Sequence, residues 1–412
     1  MIVKFWGVRG SIPTPERRNS RYGGNTACIE VRLANGTIII LDCGSGLRSL
    51  GKSLLREFAT RPVHAYVFLT HFHWDHIQGI PFFLPLYKKG NSISFHSVLA
   101  DGQRLREAVD AQMVTPYFPA DPSLMAAFRH FYELGARPIN LNGGLITSAP
   151  MNHPQGCVGY RIEADGAAFV LATDTEPGSL AHDQAIRELA RDADALVYDA
   201  QYTPEQLQGE KRGWGHSSWL EGVRVARDCG AKRLVLFHHD PDNDDDFVDG
   251  LVERAREQFP DVSAASEGWE LELPQGREKH EFVTGAIERR RESRLPVSLP
   301  LLVSWVRSDG VQIQVHAWSQ NVSASGVYFT APSRDWTGQP LELRMVPPDG
   351  TSFQDPTPLN FVARAVRQAS VRHKDGSTNG SVGVGARLVS PASIDFAAWW
   401  KAEYSAVQPQ LA

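Results

Sequence analysis

Apolar positions fall in short blocks over the first 275 residues, separated by polar and Gly/Pro-rich stretches. Runs at residues 3–6, 29–33, 37–41, 65–70, 158–162, 168–172, 195–198 and 233–237 have the length and β-branched or aromatic content of strands. Segments 47–58, 102–112, 183–191, 217–228 and 247–258 instead repeat apolar residues at the helical spacing. Asn35-Gly36 and Asp165-Gly166 each separate two strand-like runs and predict tight hairpins. Hairpins followed by strand–helix alternation predict a mixed α/β sheet with helices outside.

The texture changes near residues 273–285, where Pro274, Gly276 and the charged Arg277-Glu278-Lys279 run interrupt the pattern. Beyond it, alternating segments at 311–315, 327–330 and 341–345 predict an all-β unit of ordinary domain size. Residues 393–404 read as a closing amphipathic helix, with Phe396, Trp399 and Trp400 near one face. The expected organisation is one domain over 1–273, a linker over 274–285 and a second domain over 286–412.

Composition narrows the class. With 42% hydrophobic and 22% charged residues in 412, the chain has ample material for a large core, which excludes disorder as its main state. The longest apolar runs are too short to span a bilayer, so no membrane association is expected. The start of the chain lacks the basic and apolar regions of a secretory signal. Cys28, Cys43, Cys157 and Cys229 show no paired spacing and read as free thiols, which makes a cytoplasmic location the expectation. Charge is uneven: residues from 286 onward carry 13 basic and 10 acidic groups, whereas residues 1–285 are net −8. A grip on long nucleic acid normally needs a basic footprint, so no such partner is expected.

The densest chemistry follows the strand-like run 65–70. His71, His73, Asp75 and His76 lie within six residues, a spacing that suits two adjacent divalent cations. His153, Asp174 and His238 stand beside later strand-like runs, where an α/β sheet presents ligands. Asp42, after the run 37–41, could orient a ligand histidine from behind. Asp240, Asp242, Asp244, Asp245 and Asp246 do not form an EF-hand, because Asp245 and Leu251 occupy the positions that need Gly and Glu. They suit the start of a helix instead.

On His71-x-His73-x-Asp75-His76 and these later residues, the chain over about 1–270 resembles the metallo-β-lactamase fold, a four-layer αββα sandwich. The resemblance implies one metal on His71, His73 and His153, a second on Asp75, His76 and His238, and Asp174 between them. Zinc is the leading ion, with manganese or iron as alternatives. His239 stays open as a substitute for His238. Asp199, followed by Ala-Gln, and His216 in Gly-His-Ser-Ser resemble the acid/His proton-donating pair of the phosphodiesterase branch, which includes ribonuclease Z. That branch commonly carries Glu where this chain has Asp199. The segments 5–11 and 21–26 also resemble this branch, and their glycines could bring backbone close to the site. Catalysis would then involve Asp75, Asp199 and His216.

In the second domain, Arg289, Arg290 and Arg294 precede Asn321, Ser323 and Gly326 in Asn-Val-Ser-Ala-Ser-Gly. The pair of motifs resembles the PilZ domain, a small β-barrel that binds cyclic di-GMP. By that resemblance these six residues contact the ligand, whose phosphates and guanines suit guanidinium forks. The combined expectation is a dinuclear phosphodiesterase that hydrolyses a small phosphodiester such as 3′,5′-cyclic AMP under control of cyclic di-GMP. A ribonuclease Z-like RNA phosphodiesterase and a cyclic di-GMP-responsive adaptor with vestigial catalysis are the alternatives. A homodimer is compatible with each.

Overall fold

The computed structural model describes residues 1–98, 102–135, 137–274, 300–306, 311–323, 326–332, 340–345, 359–370 and 381–388. The chain divides into two compact units, residues 1–138 with 143–277, and residues 139–142 with 278–412.

Two sheets build the first unit. One orders its strands as Glu270–Glu272, Ile2–Gly7, Cys28–Arg32, Ile38–Leu41, His64–Phe68, Ser92–Ser97 and Phe128–Glu133. The first four pair antiparallel and the later ones parallel. The other sheet runs Val262–Ala264, Leu234–Phe237, Ala195–Asp199, Ala167–Ala172, Cys157–Ala164 and Gly144–Met151. It likewise begins its chain order with hairpins and continues with parallel strands. The turn at Asp165-Gly166 has positive φ at both residues, 55° and 76°, the conformation a two-residue hairpin requires. Between Cys28–Arg32 and Ile38–Leu41, Gly36 alone of the Asn35-Gly36 pair has positive φ, 85°.

The sheets face each other through large buried rings. Phe5 packs on Phe237 at 6.2 Å and Phe68 on Tyr160 at 5.4 Å, and the Tyr160 hydroxyl donates to the Leu69 carbonyl at 2.7 Å. Burying each such ring contributes about 1.5–3 kcal/mol. Helix Leu47–Phe58 turns Leu47, Leu50 and Leu54 onto the outer face of one sheet. Helices Leu180–Leu189, Trp219–Cys229 and Asp245–Arg256 cover the other. The result is a four-layer αββα arrangement.

Helix starts follow their caps. Asp244 accepts from the Phe247 amide, so that helix begins two residues before the apolar spacing suggested, and Asp245 and Asp246 occupy its first turn. The segment 80–87 forms two 3₁₀ turns, Ile80–Phe82 and Leu84–Tyr87, each opened by a proline. All four cysteines are free and buried. Among the described residues, no helix is long and apolar enough to cross a membrane.

Six strands of the second unit, Pro300–Val306, Gln312–Ser323, Gly326–Pro332, Pro340–Met345, Leu359–Ser370 and Ser381–Leu388, pair antiparallel, each with two others, so the ladder closes on itself. Leu301, Val303, Phe329, Leu341 and Val384 are among its core residues. The short strand Ile139–Leu141 pairs with Gln312–Ser323 and so counts with this unit, although the sequence pattern placed it in the first domain. The helix expected over 393–404 lies outside the described residues.

His96 illustrates the cost of burying a titratable ring. Its Nδ1 donates to backbone carbonyls, it stacks on Phe68 at 4.7 Å, and burial pushes its pKa down to about 4. An unfolded chain takes up this proton near the ordinary 6.5, so stability falls with pH between those values, by about 2 kcal/mol at pH ~5. His96→Phe should therefore lose less stability than the parent between pH ~7.5 and pH ~5, measured by urea unfolding. Equal losses would contradict the assignment.

Candidate metal centre

Loops at one end of both sheets carry the chemistry. Asp42 follows strand Ile38–Leu41, His71 follows His64–Phe68, His153 follows Gly144–Met151, Asp174 follows Ala167–Ala172, and His238 follows Leu234–Phe237. Asp199 is the last residue of its strand. Asp42, Asp174 and His238 adopt left-handed backbone, with φ of 59°, 55° and 59°. Non-glycine residues take that conformation at a cost of about 1–3 kcal/mol, and such strain concentrates at functional sites.

Ligand-type atoms of His71, His73 and His153, of His71, His76 and Asp174, and of Asp75, His76 and His238 lie within 4.8 Å of one another in each group. Two further groups join His216 to the same constellation, one through His153 and Asp174 and one through Asp199 and His238. All seven residues read from sequence as metal ligands are thus brought together.

Each histidine is anchored from behind. His76 Nδ1 donates to Asp42 at 2.8 Å, His153 Nδ1 to the Gly215 carbonyl at 2.8 Å, and His238 Nδ1 to Gln201 Oε1 at 3.1 Å. His73 Nε2 donates to Gln155 Oε1 at 3.2 Å. The Thr70 hydroxyl donates to Asp42 and accepts from His71 Nδ1 at 3.0 Å. A donor N–H on the outer nitrogen leaves a lone pair on the inner one, the tautomer that a metal-binding imidazole needs. The inner nitrogens accordingly face each other without a donor between them. His153 Nε2 lies 3.1 Å from His73 Nδ1, His76 Nε2 lies 3.2 Å from His238 Nε2, and His71 Nε2 is buried without a hydrogen-bond partner. This donor set fits divalent cations.

Electrostatics agree with that fit. Burial holds His71 and His153 below the usual imidazole range. Burial also opposes charge on His76 and His238, but Asp174 and Asp75 outweigh it and raise both, His238 to about 9. Burial opposes charge on Asp174 too, yet His238 and His76 hold it low. The negative field that draws protons onto these rings equally attracts a cation. His239 is elsewhere: its Nε2 donates to the Ala265 carbonyl at 2.9 Å, and burial pushes it down to about 3.

Asp199 Oδ2 accepts from His216 Nδ1 at 2.9 Å, so the shorter carboxylate reaches its partner. The Thr175 and Gln201 amides fix Asp199 from the other side at 3.4 and 3.1 Å. Glu176 holds the loop before His216 by accepting from the amides of Gly213 and Gly215 at 2.9 Å each.

Several supporting residues escaped the sequence reading. The Ser11 amide donates to Asp75 Oδ2 at 2.7 Å, Gln201 orients His238, and Thr70 links His71 to Asp42. Arg9, fully buried, donates to the Gly23, Asp240 and Asn243 carbonyls and so stitches the N-terminal loops to the segment after His238. The glycines of these loops do lie close: a Cβ on Gly10 would stand 2.6 Å from the His238 ring, and one on Gly215 2.4 Å from the His153 ring. In the second unit, Asn321, Ser323 and Gly326 fall on paired strands, with Ser323 opposite Gly326. Arg289, Arg290 and Arg294 lie outside the described residues.

Residues 37–239 match the model of the Beta-lactamase superfamily domain. Ribonuclease Z of Haloarcula marismortui is 25% identical, over 68% of this chain and 99% of its own length. Ribonuclease Z of Haloferax volcanii is 27% identical over 66% and 95%, and ribonuclease BN of Escherichia coli 24% over 65% and 98%. The solved metallo-beta-lactamase fold protein YhfI from Bacillus subtilis superposes with a TM-score of 0.51 at 19% identity, over 66% of this chain and 98% of that one. The first unit therefore has the metallo-β-lactamase fold and is similar in sequence to ribonucleases Z and BN. Its His/Asp clusters fit a metal-dependent hydrolase.

Gly10→Ala should displace His238 and lower bound divalent metal per chain, measured by elemental analysis after dialysis. Gly250→Ala, where a Cβ meets open space, should leave it unchanged. Full metal content in Gly10→Ala would contradict the role given to His238.

Proposed function

We propose that the first unit is a dinuclear metal-dependent phosphodiesterase acting on a small phosphodiester, with 3′,5′-cyclic AMP the leading substrate. We propose further that the second unit is a PilZ domain through which cyclic di-GMP regulates it. The observation that carries the first reading is the anchored Asp199–His216 pair beside the inward-facing histidine cluster.

His71, His73 and His153 would hold one ion, Asp75, His76 and His238 the other, with Asp174 between them. Two such ions supply Lewis acidity and a nucleophile at neutral pH. The remaining work belongs to the chain. The Ser11 amide donates to the Asp75 carboxylate at 2.7 Å, and Thr173 donates to Asp174 at 2.7 Å, so both carboxylates are held in place. Asp199 binds His216 Nδ1, which leaves Nε2 to carry the proton given to the leaving oxygen. The carboxylate also fixes the tautomer and orientation of the ring, as a positioned proton donor requires.

The names of the relatives favour a second reading, an RNA phosphodiesterase of ribonuclease Z type. Two features support the small substrate instead. Leu180–Leu189, Ala195–Asp199 and Pro204–Gln208 divide the connection from Thr175 to Gly213 into short gaps, which leaves little chain for a tRNA-gripping arm. Residues 1–285 are also net −8. Hydrolysis of cyclic AMP without trimming of precursor tRNA is the expected result, and efficient trimming would reverse the choice.

For the second unit, the closed antiparallel ring and the placement of Asn321, Ser323 and Gly326 at one strand pair support the PilZ reading. Arg289, Arg290 and Arg294 would contribute guanidinium contacts. Calorimetry should show cyclic di-GMP binding that Arg294→Ala abolishes, and unchanged affinity would contradict it.

His216→Ala should lower kcat about 10²–10⁴-fold on an alkyl phosphodiester while bound metal stays constant. The loss should be much smaller with 4-nitrophenolate, which leaves without a proton. Equal losses on both substrates would remove His216 as the proton donor.

A further inference from the structure

Two tryptophans at the cluster are left in water. Trp74, between His73 and Asp75, is 81% exposed, and Trp214, two residues before His216, is 57% exposed. Large rings in solvent beside buried polar residues contribute little to folding and are suited to binding. The chain segments that carry them meet at His153. Trp74 adjoins His73, whose Nδ1 lies 3.1 Å from His153 Nε2; His153 Nδ1 in turn donates to the carbonyl of Gly215, the neighbour of Trp214.

A cation accompanies them. Lys211 Nζ lies 4.4 Å from the Trp214 ring centre and 5.6 Å from that of Tyr202, and the Tyr202 ring meets the His216 ring edge-on at 5.8 Å. The loop that carries Lys211 and Trp214 is held by Glu176 through the amides of Gly213 and Gly215. The Trp214 loop is thus held by a group that also fixes the backbone next to His216.

We propose that Trp74 and Trp214 bind a planar nucleobase attached to the reacting phosphate, with Lys211 adding positive charge for the phosphate. Resting on the phosphodiesterase reading, the inference assigns the side chains that would recognise the base of a nucleotide substrate. Stacking tolerates any base, because each has a π-face, so the expected selectivity is for a base over none.

The test is calorimetry on the metal-loaded full chain with adenosine 5′-monophosphate and ribose 5-phosphate, which share the phosphate and sugar and differ in the base. The nucleotide should bind about 10-fold or more tighter. Trp74→Ala and Trp214→Ala should each cut that preference while leaving ribose 5-phosphate affinity unchanged. Equal or absent binding of the two ligands to the parent, or a preference that survives both substitutions, would overturn the inference. Because the readout is binding, nucleotide preference in a chain that hydrolyses no phosphodiester would discard the catalytic reading and keep the stacking site.

Discussion

Five imidazoles with lone pairs turned inward, and two carboxylates among them, cannot satisfy one another. Each outer nitrogen already spends its proton on Asp42, Thr70, Gln155, Gly215 or Gln201, so the inner atoms meet acceptor to acceptor at close to 3 Å. Burying such a set is unfavourable unless protons or cations sit between the atoms. The surrounding construction follows from that constraint. Left-handed backbone at Asp42, Asp174 and His238 turns side chains off the strand ends, and Gly10 and Gly215 clear space for the rings.

In the phosphodiesterase reading, the same edge of the sheets would supply what the cluster alone lacks. A divalent site can activate a nucleophile, but expelling an alkoxide also needs a proton source. His216 stands close enough to Asp174, 3.8 Å from it, for one substrate to span both functions, while Asp199 fixes its ring. Glu176 ties the His216 loop down through two amides.

Much of this was legible in the sequence for physical reasons. His71 to His76 stand within one short segment after an apolar strand, so their proximity needs no fold to be seen. Asp174, Asp199 and His238 were readable because strand ends are where sheets of this kind present ligands. What escaped depends on contacts across long separations: Ser11 meets Asp75, and Gln201 meets His238, through pairings that local pattern does not encode. Strand Ser92–Ser97 was missed because all six residues are buried, which removes the alternation of a half-exposed strand. Helix Leu180–Leu189 begins earlier than its apolar spacing because Leu180 is exposed and contributes nothing to the stripe. His238 and His239 could not be separated until the Ala265 carbonyl accounted for the second.

The central claim is that this cluster is a two-metal site. Anomalous scattering from crystals of the metal-loaded chain, collected on both sides of the metal absorption edge, tests it most directly. The account predicts two peaks, one among His71, His73 and His153, the other among Asp75, His76 and His238, with Asp174 in reach of both. A single peak, or none at these residues, would contradict it.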